Sequence, residues 1–152
     1  MFKVQEENTE EALIECIQMG AQDQYDEIVK KSGKVGMKLD TTLISKLLNI
    51  GMIKLVTART DDGKCIAYFC NLVDTDWLTS KKVGKEIAIF VKPDYRKSGV
   101  FSEMLKLQEQ ICIDSGVTTQ ILEFQMEHND KLPLSHNYEP IGIVYEKHLE
   151  GM

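Results

Sequence analysis

Apolar positions along this chain change their period several times, and each change marks an element. Phe2 to Gln5 predicts a short first strand. Asn8, with Glu11 three residues on, has the form of a helix cap and its reciprocal acid. Ala12, Leu13, Cys16 and Ile17 follow at helical spacing, and Gly20 ends or interrupts that helix. Tyr25, Ile28 and Val29 suggest a second short helical piece, and Ser32-Gly33-Lys34-Val35-Gly36 reads as a loop. Asp40 caps a helix from Thr41 to about Asn49, striped by Leu43, Ile44, Leu47 and Leu48 and closed by Gly51.

From Ile53 the period becomes that of strands. Ile53 to Arg59 and Cys65 to Val73 flank the turn Asp61-Asp62-Gly63-Lys64 and predict an antiparallel hairpin. A polar loop with Trp77 follows. Glu86 to Val91 predicts a strand buried on both faces, ended by Pro93. Val100, Phe101, Met104, Leu105, Leu107, Ile111 and Cys112 form the stripe of an amphipathic helix closed by Ser115-Gly116. Thr118 to Phe124 predicts another strand. A polar run from His128 to Asn137, with Pro133, has room for a short helix. Ile141 to Leu149 alternates again, as one or two final strands. Strands and helices in this order predict an α/β (α+β) domain: a mixed, mainly antiparallel sheet with helices on both faces.

At 152 residues the chain suits one domain, residues 1–152. Apolar residues make up 43% and charged residues 28%, the balance of a soluble globular protein. No apolar run spans a membrane and the N-terminus has no signal core, so the expected setting is cytoplasmic. A net charge of −6 and the lack of a basic stripe argue against a nucleic-acid partner. Cys16, Cys65, Cys70 and Cys112, with His128, His136 and His148, complete no metal pattern and read as reduced thiols and isolated histidines. Strand alternation sets Cys65 and Cys70, five apart, on opposite faces.

The chemistry concentrates in Val91-Lys92-Pro93-Asp94-Tyr95-Arg96-Lys97-Ser98-Gly99-Val100-Phe101-Ser102. A strand stops, and a helix begins beyond two cations, a hydroxyl and a glycine. The first amides of a helix lack internal partners and the dipole makes that end positive, so the corner favours phosphate. From the physics alone it reads equally as an ordinary strand-to-helix turn with surface lysines. The same residues resemble the central motif of the GNAT superfamily of N-acetyltransferases: a strand ending in Val, then Pro, an aromatic, and Arg/Gln-x-x-Gly-x-Gly/Ala. Arg96 and Gly99 match that signature, and Phe101 stands where the family has its second Gly or Ala. The hairpin, the amphipathic helix, the strand from Thr118 and Asn137-Tyr138 extend the likeness from Ile53 onward. The chain is also similar to GNAT-like proteins common in bacteriophages.

The resemblance implies the GNAT fold, acetyl-CoA as cofactor, and acetyl transfer to an amine of a small molecule or a protein. It implies main-chain contacts of Phe90 and Val91 with the pantetheine arm. Arg96, Lys97, Ser98, Gly99, Val100, Phe101 and Ser102 would hold the pyrophosphate, and Asn129 would touch cofactor. Dimers are common among relatives, so a homodimer is a further expectation. Glu86 is the first base, one residue out of step with the familiar placement unless a bulge restores it; its plain alternative is an exposed acid at a strand entrance. Glu123, Glu127 and His128 lie on or after the next strand, and His128 is of the type that moves protons near neutral pH. The family's frequent tyrosine acid has no counterpart here. Leu132-Pro133-Leu134-Ser135-His136 occupies its place, which leaves water or His136 to protonate the leaving thiolate, or leaves a catalytically inactive binding or accessory protein on the same fold.

Overall fold

A computed structural model describes residues 1–21, 23, 26, 40–123, 131–142, 145, 147 and 149. The chain runs β1 (Phe2–Glu6), α1 (Glu10–Cys16) continuing as a π-helical turn (Ile17–Ala21), α2 (Thr41–Asn49), β2 (Ile53–Thr60), β3 (Cys65–Thr75), β4 (Lys82–Val91), a 3-10 turn (Pro93–Tyr95), α3 (Val100–Asp114), β5 (Val117–Ile121) and α4 (Lys131–Ser135). The five strands lie in sequence order in one sheet, antiparallel throughout except for the parallel pair β4 and β5.

Both faces are covered. On one, Leu55, Tyr68, Cys70 and Phe90 pack against Ala12, Leu13 and Cys16 of α1 and Leu48 of α2. On the other, Val56, Ala58 and Phe69 pack against Val100, Met104 and Leu105 of α3. Each of these side chains is buried, and burying a Val, Leu, Met or Phe among them contributes about 1.5–3 kcal/mol. The mixed sheet between helices is thus the predicted α/β (α+β) class. Among the described residues no helix is long and apolar enough to cross a membrane.

Several local expectations change. The cap of α1 is Thr9, whose hydroxyl accepts from Ala12 N–H (3.2 Å). Asn8 instead accepts from Leu55 N–H (2.7 Å), because the chain beyond β1 continues beside β2 and satisfies the next edge amide. Glu7 beside it bonds Thr57 and pairs with Arg59 (2.8 Å), which also reaches Glu15 (2.7 Å). Cys65 and Cys70 share one face rather than lying on opposite faces. Opposite Ala58 and Arg59 of β2, β3 carries one extra residue, Ile66, and this bulge turns Cys65 over. β4 starts at Lys82, four residues before the expected strand. Ile141 and Gly142 are not in a strand, and the rest of the expected final strands, the helical piece at Tyr25, the 32–36 loop and Phe124 fall wholly or largely outside the described residues.

Candidate functional site

The sheet forks at the middle of β4. The parallel ladder with β5 runs Val83 to Thr119, Gly84 to Gln120 and Lys85 to Ile121, and ends there. Among the described residues, β4 from Glu86 to Val91 pairs with β3 alone. At the same level its register against β3 shifts: Ala88 faces Cys70 and Glu86 faces Asn71, leaving Ile87 as the extra residue. That is a bulge beside Glu86, on the strand where the resemblance allowed for one.

Alternation settles which backbone groups face the fork. Lys92 N–H bonds Ile66 O (3.0 Å), so in an antiparallel ladder the groups of Phe90 also turn to β3, while those of Ile89 and Val91 turn outward. The main-chain groups of Phe90 therefore turn toward β3, and its side chain is a core residue, 4% exposed, with its ring near that of Tyr68. Ile89, which sequence reasoning did not single out, shares the outward backbone direction of Val91; counting strand parity back from Pro93 was the available signal. The Val91 carbonyl already accepts from Arg96 Nε (2.8 Å), and the Arg96 guanidinium lies 5.6 Å from the Phe90 ring centroid.

The turn beyond β4 reaches α3 through two left-handed residues, Lys97 (φ 82°) and Gly99 (φ 86°). Such reversals build the amide concavities that hold anions, and Lys97 adopts a conformation rare for a residue with a side chain. Gly99 caps α3 without a side-chain bond. The first helical bond is Glu103 N–H to Gly99 O (3.2 Å), so the amides of Val100, Phe101 and Ser102 have no acceptor within the helix. Val100 itself is buried, and the partly buried Phe101 ring leans on the same core, which is how the helix accommodates the bulk absent from the family pattern. The exposed Lys97 and Ser98 complete the rim.

His136 follows α4 and is tied to this turn. Its Nε2 lies 2.9 Å from Ser102 Oγ and its Nδ1 2.9 Å from Leu132 O, with its ring edge-on to Phe101. It thus stands at the N-terminal end of α3, in contact with the phosphate-type corner. His128 and Asn129, like Glu127, lie outside the described residues.

Glu86 is largely buried, and that burial pushes its carboxyl pKa up to about 7; Glu123 adds to the shift and Lys85 opposes it. Lys85 and Glu123 form a half-exposed pair (2.9 Å) bridging β4 and the end of β5. Glu86 in turn raises the buried Cys70 thiol, already pushed up by burial, to about 12. The arrangement joins three capabilities: an open strand edge for a chain with amide groups, an anion corner, and a carboxyl that exchanges its proton near neutral pH.

Residues 41–133 match the sequence profile of the acetyltransferase (GNAT) family. A search of curated protein sequences found no significant match. Among solved structures, an aminoglycoside acetyltransferase from an uncultured soil metagenomic sample, in complex with sisomicin, is similar at 14% identity with a TM-score of 0.75, over 98% of this chain and 97% of that one. Glucosamine-6-phosphate N-acetyltransferase from Arabidopsis thaliana is similar at 14% identity and TM-score 0.69, over 99% of both chains. Ribosomal-protein-alanine N-acetyltransferase from Brucella melitensis biovar Abortus 2308 is similar at 13% identity and TM-score 0.67, over 99% of both.

Proposed function

Because the chain belongs to the acetyltransferase (GNAT) family, we propose that it is an N-acetyltransferase moving an acetyl group from acetyl-CoA to an amine. The observation that carries this reading is the fork: a β4 edge beside Glu86 that, among the described residues, pairs with β3 alone and runs straight into the N-terminal turn of α3, whose first helical bond is made only at Glu103. The residues fit the cofactor. Outward backbone groups of Ile89 and Val91 suit the amide-bearing pantetheine arm, and the Lys97–Ser102 amides with Arg96 suit a pyrophosphate.

Bound acetyl-CoA supplies an activated thioester. The chain's own part is to hold it and to manage protons. Glu86, with a pKa of about 7, is ionised in a large share of molecules at neutral pH and accepts a proton from the acceptor, either from its ammonium form before attack or from the amine as it adds to the thioester carbon, while water protonates the departing thiolate. Burial that raises this pKa also makes the carboxylate a stronger base. His136 sits at the Ser102 corner, so its role in this reading is to order the phosphate end rather than to move a proton. The same reading takes residues 1–152 as one catalytic domain, acting in the cytoplasm. The acceptor is a small-molecule or protein amine, the range spanned by the aminoglycoside, sugar-phosphate and ribosomal-protein enzymes above.

Isothermal titration with acetyl-CoA tests the reading, followed by thiol release across a panel of amines. Saturable binding with amine-dependent thiol release supports it. Absence of acetyl-CoA binding overturns it and leaves a binding or accessory protein on the GNAT fold.

A further inference from the structure

Below the fork lies a buried polar group that the proposed chemistry does not use. Asn71 of β3 and Gln120 of β5 form a reciprocal amide pair. Asn71 Nδ2 donates to Gln120 Oε1 and Gln120 Nε2 donates to Asn71 Oδ1, both at 2.9 Å. Cys112 of α3 joins them, its sulfur 3.2 Å from Asn71 Nδ2 and 3.3 Å from Gln120 Oε1. Asn71 is fully buried. The two strands are not neighbours: β4 lies between them, so the pair passes across β4 at Gly84.

Gly84 makes that passage possible. A Cβ there would stand 2.5 Å from Gln120 Oε1, 2.9 Å from Asn71 Nδ2 and 3.1 Å from Cys112 Sγ. Its backbone needs no left-handed conformation, so space is what the position demands. A glycine inside a strand marks close approach of another group.

The location is specific. Gly84 faces Gln120 one step before the β4–β5 ladder ends at Lys85 and Ile121. Asn71 faces Glu86 across the other ladder, at the bulge. One side chain therefore links the end of one ladder to the irregularity in the other. A buried amide that loses its partner carries its full desolvation cost, so the pair holds a single register where strands otherwise slip.

We propose that the Asn71–Gln120 pair, crossing β4 at Gly84, is the pin that fixes where the sheet forks, and that both residues are positioning residues for Glu86 and the open β4 edge. The kinetic side rests on the acetyl-transfer reading; the structural side does not. Among the described residues, the groups acting on Glu86 are Lys85 beside it, Glu123 beyond β5 and Cys70 across β3, and the pin sets the spacing of all three strands.

The test uses the full chain with Gln120→Leu, Asn71→Gln, Gln120→Asn and the double swap Asn71→Gln/Gln120→Asn. The swap keeps both amides and their combined length. NMR titration of the Glu86 carboxyl is read first, because it needs neither cofactor nor acceptor. The pin predicts that each folded single variant moves the Glu86 midpoint by about half a pH unit or more. It also predicts that the swap restores most of that shift. In turnover assays the single variants lower kcat/KM by about tenfold or more and move its pH midpoint in step, with rescue by the swap. If folded single variants keep the Glu86 midpoint, or if the swap restores thermal stability without restoring the midpoint, the pair is only core and the proposal is overturned. Gly84→Ala serves where single variants unfold: it keeps both amides, and an unmoved Glu86 midpoint in its folded form counts against the pin. If the wild type binds no acetyl-CoA, the functional reading falls while the carboxyl titration still decides the pin.

Discussion

Arg96 closes onto Val91: its Nε donates to the Val91 carbonyl at 2.8 Å while its guanidinium lies over the Phe90 ring. The motif arginine thereby joins the last residue of β4 to the turn that opens α3. It places a cation beside the start of α3 and shapes the end of the β4 edge. Arg96 is exposed, so removing it costs the fold little. We expect Arg96→Ala to weaken acetyl-CoA binding about tenfold in isothermal titration, with Tm changed by no more than a few degrees. Unchanged affinity would separate Arg96 from the cofactor site.

Glu86→Gln keeps the size of the side chain and removes its ionisation. A positioned general base contributes about 10²–10⁴-fold, so kcat should fall by that order. In the wild type, the active ionised form grows as pH rises through about 7, and kcat/KM should rise through the same midpoint. The variant should lose that limb. A retained limb near pH 7 would assign it to another group.

The same carboxyl links stability to pH. Its pKa is raised from 4.5 to about 7, so the folded state holds the proton more tightly than the unfolded chain does. Its contribution is complete below pH 4.5 and is lost as pH climbs toward 7. Gln does not titrate. Calorimetry should therefore find Tm of Glu86→Gln gaining on wild type between pH 4.5 and 7, with the difference level above that window.

His136 touches Ser102 and Phe101 at the start of α3. His136→Ala should raise KM for acetyl-CoA several-fold while kcat stays within about twofold, the pattern of lost binding rather than lost proton transfer. A fall in kcat with unchanged KM would give His136 the proton-transfer role that the resemblance left open between it and water.

Gly99 has φ 86° and open space where a Cβ would stand, so the cost of Gly99→Ala is backbone strain alone, about 1–2 kcal/mol. Gly20 is the opposite case. A Cβ there would stand 2.6 Å from Phe90 Cδ1 and 3.0 Å from Tyr68 Cε1, so Gly20→Ala should cost about 1–3 kcal/mol by overpacking. Urea titration of both variants checks the two magnitudes.

Much of this protein is local, and local signals were legible. The Asp40 cap with its Leu43 amide bond, the hairpin about Gly63, the stop at Pro93 and the amphipathic stripe of α3 each rest on residues a few positions apart. The motif from Arg96 to Ser102 was legible for the same reason, since a helix start and its left-handed glycine are adjacent in sequence. What the sequence left open lies where strands meet. Two bulges, at Ile66 and Ile87, reset the alternation of β3 and β4, so counting residues misassigned the face of Cys65 and left the placement of Glu86 undecided. A bulge is decided by the pairing of two strands and not by the residues of one. The main-chain direction of Phe90, the bond from Asn8 to Leu55 and the meeting of Asn71 with Gln120, 49 residues apart, are likewise products of register. Sequence alone determined most of the described elements and the glycine-led turn into α3; the tertiary structure decided where the sheet opens and which carboxyl lies there, because both depend on how distant strands align.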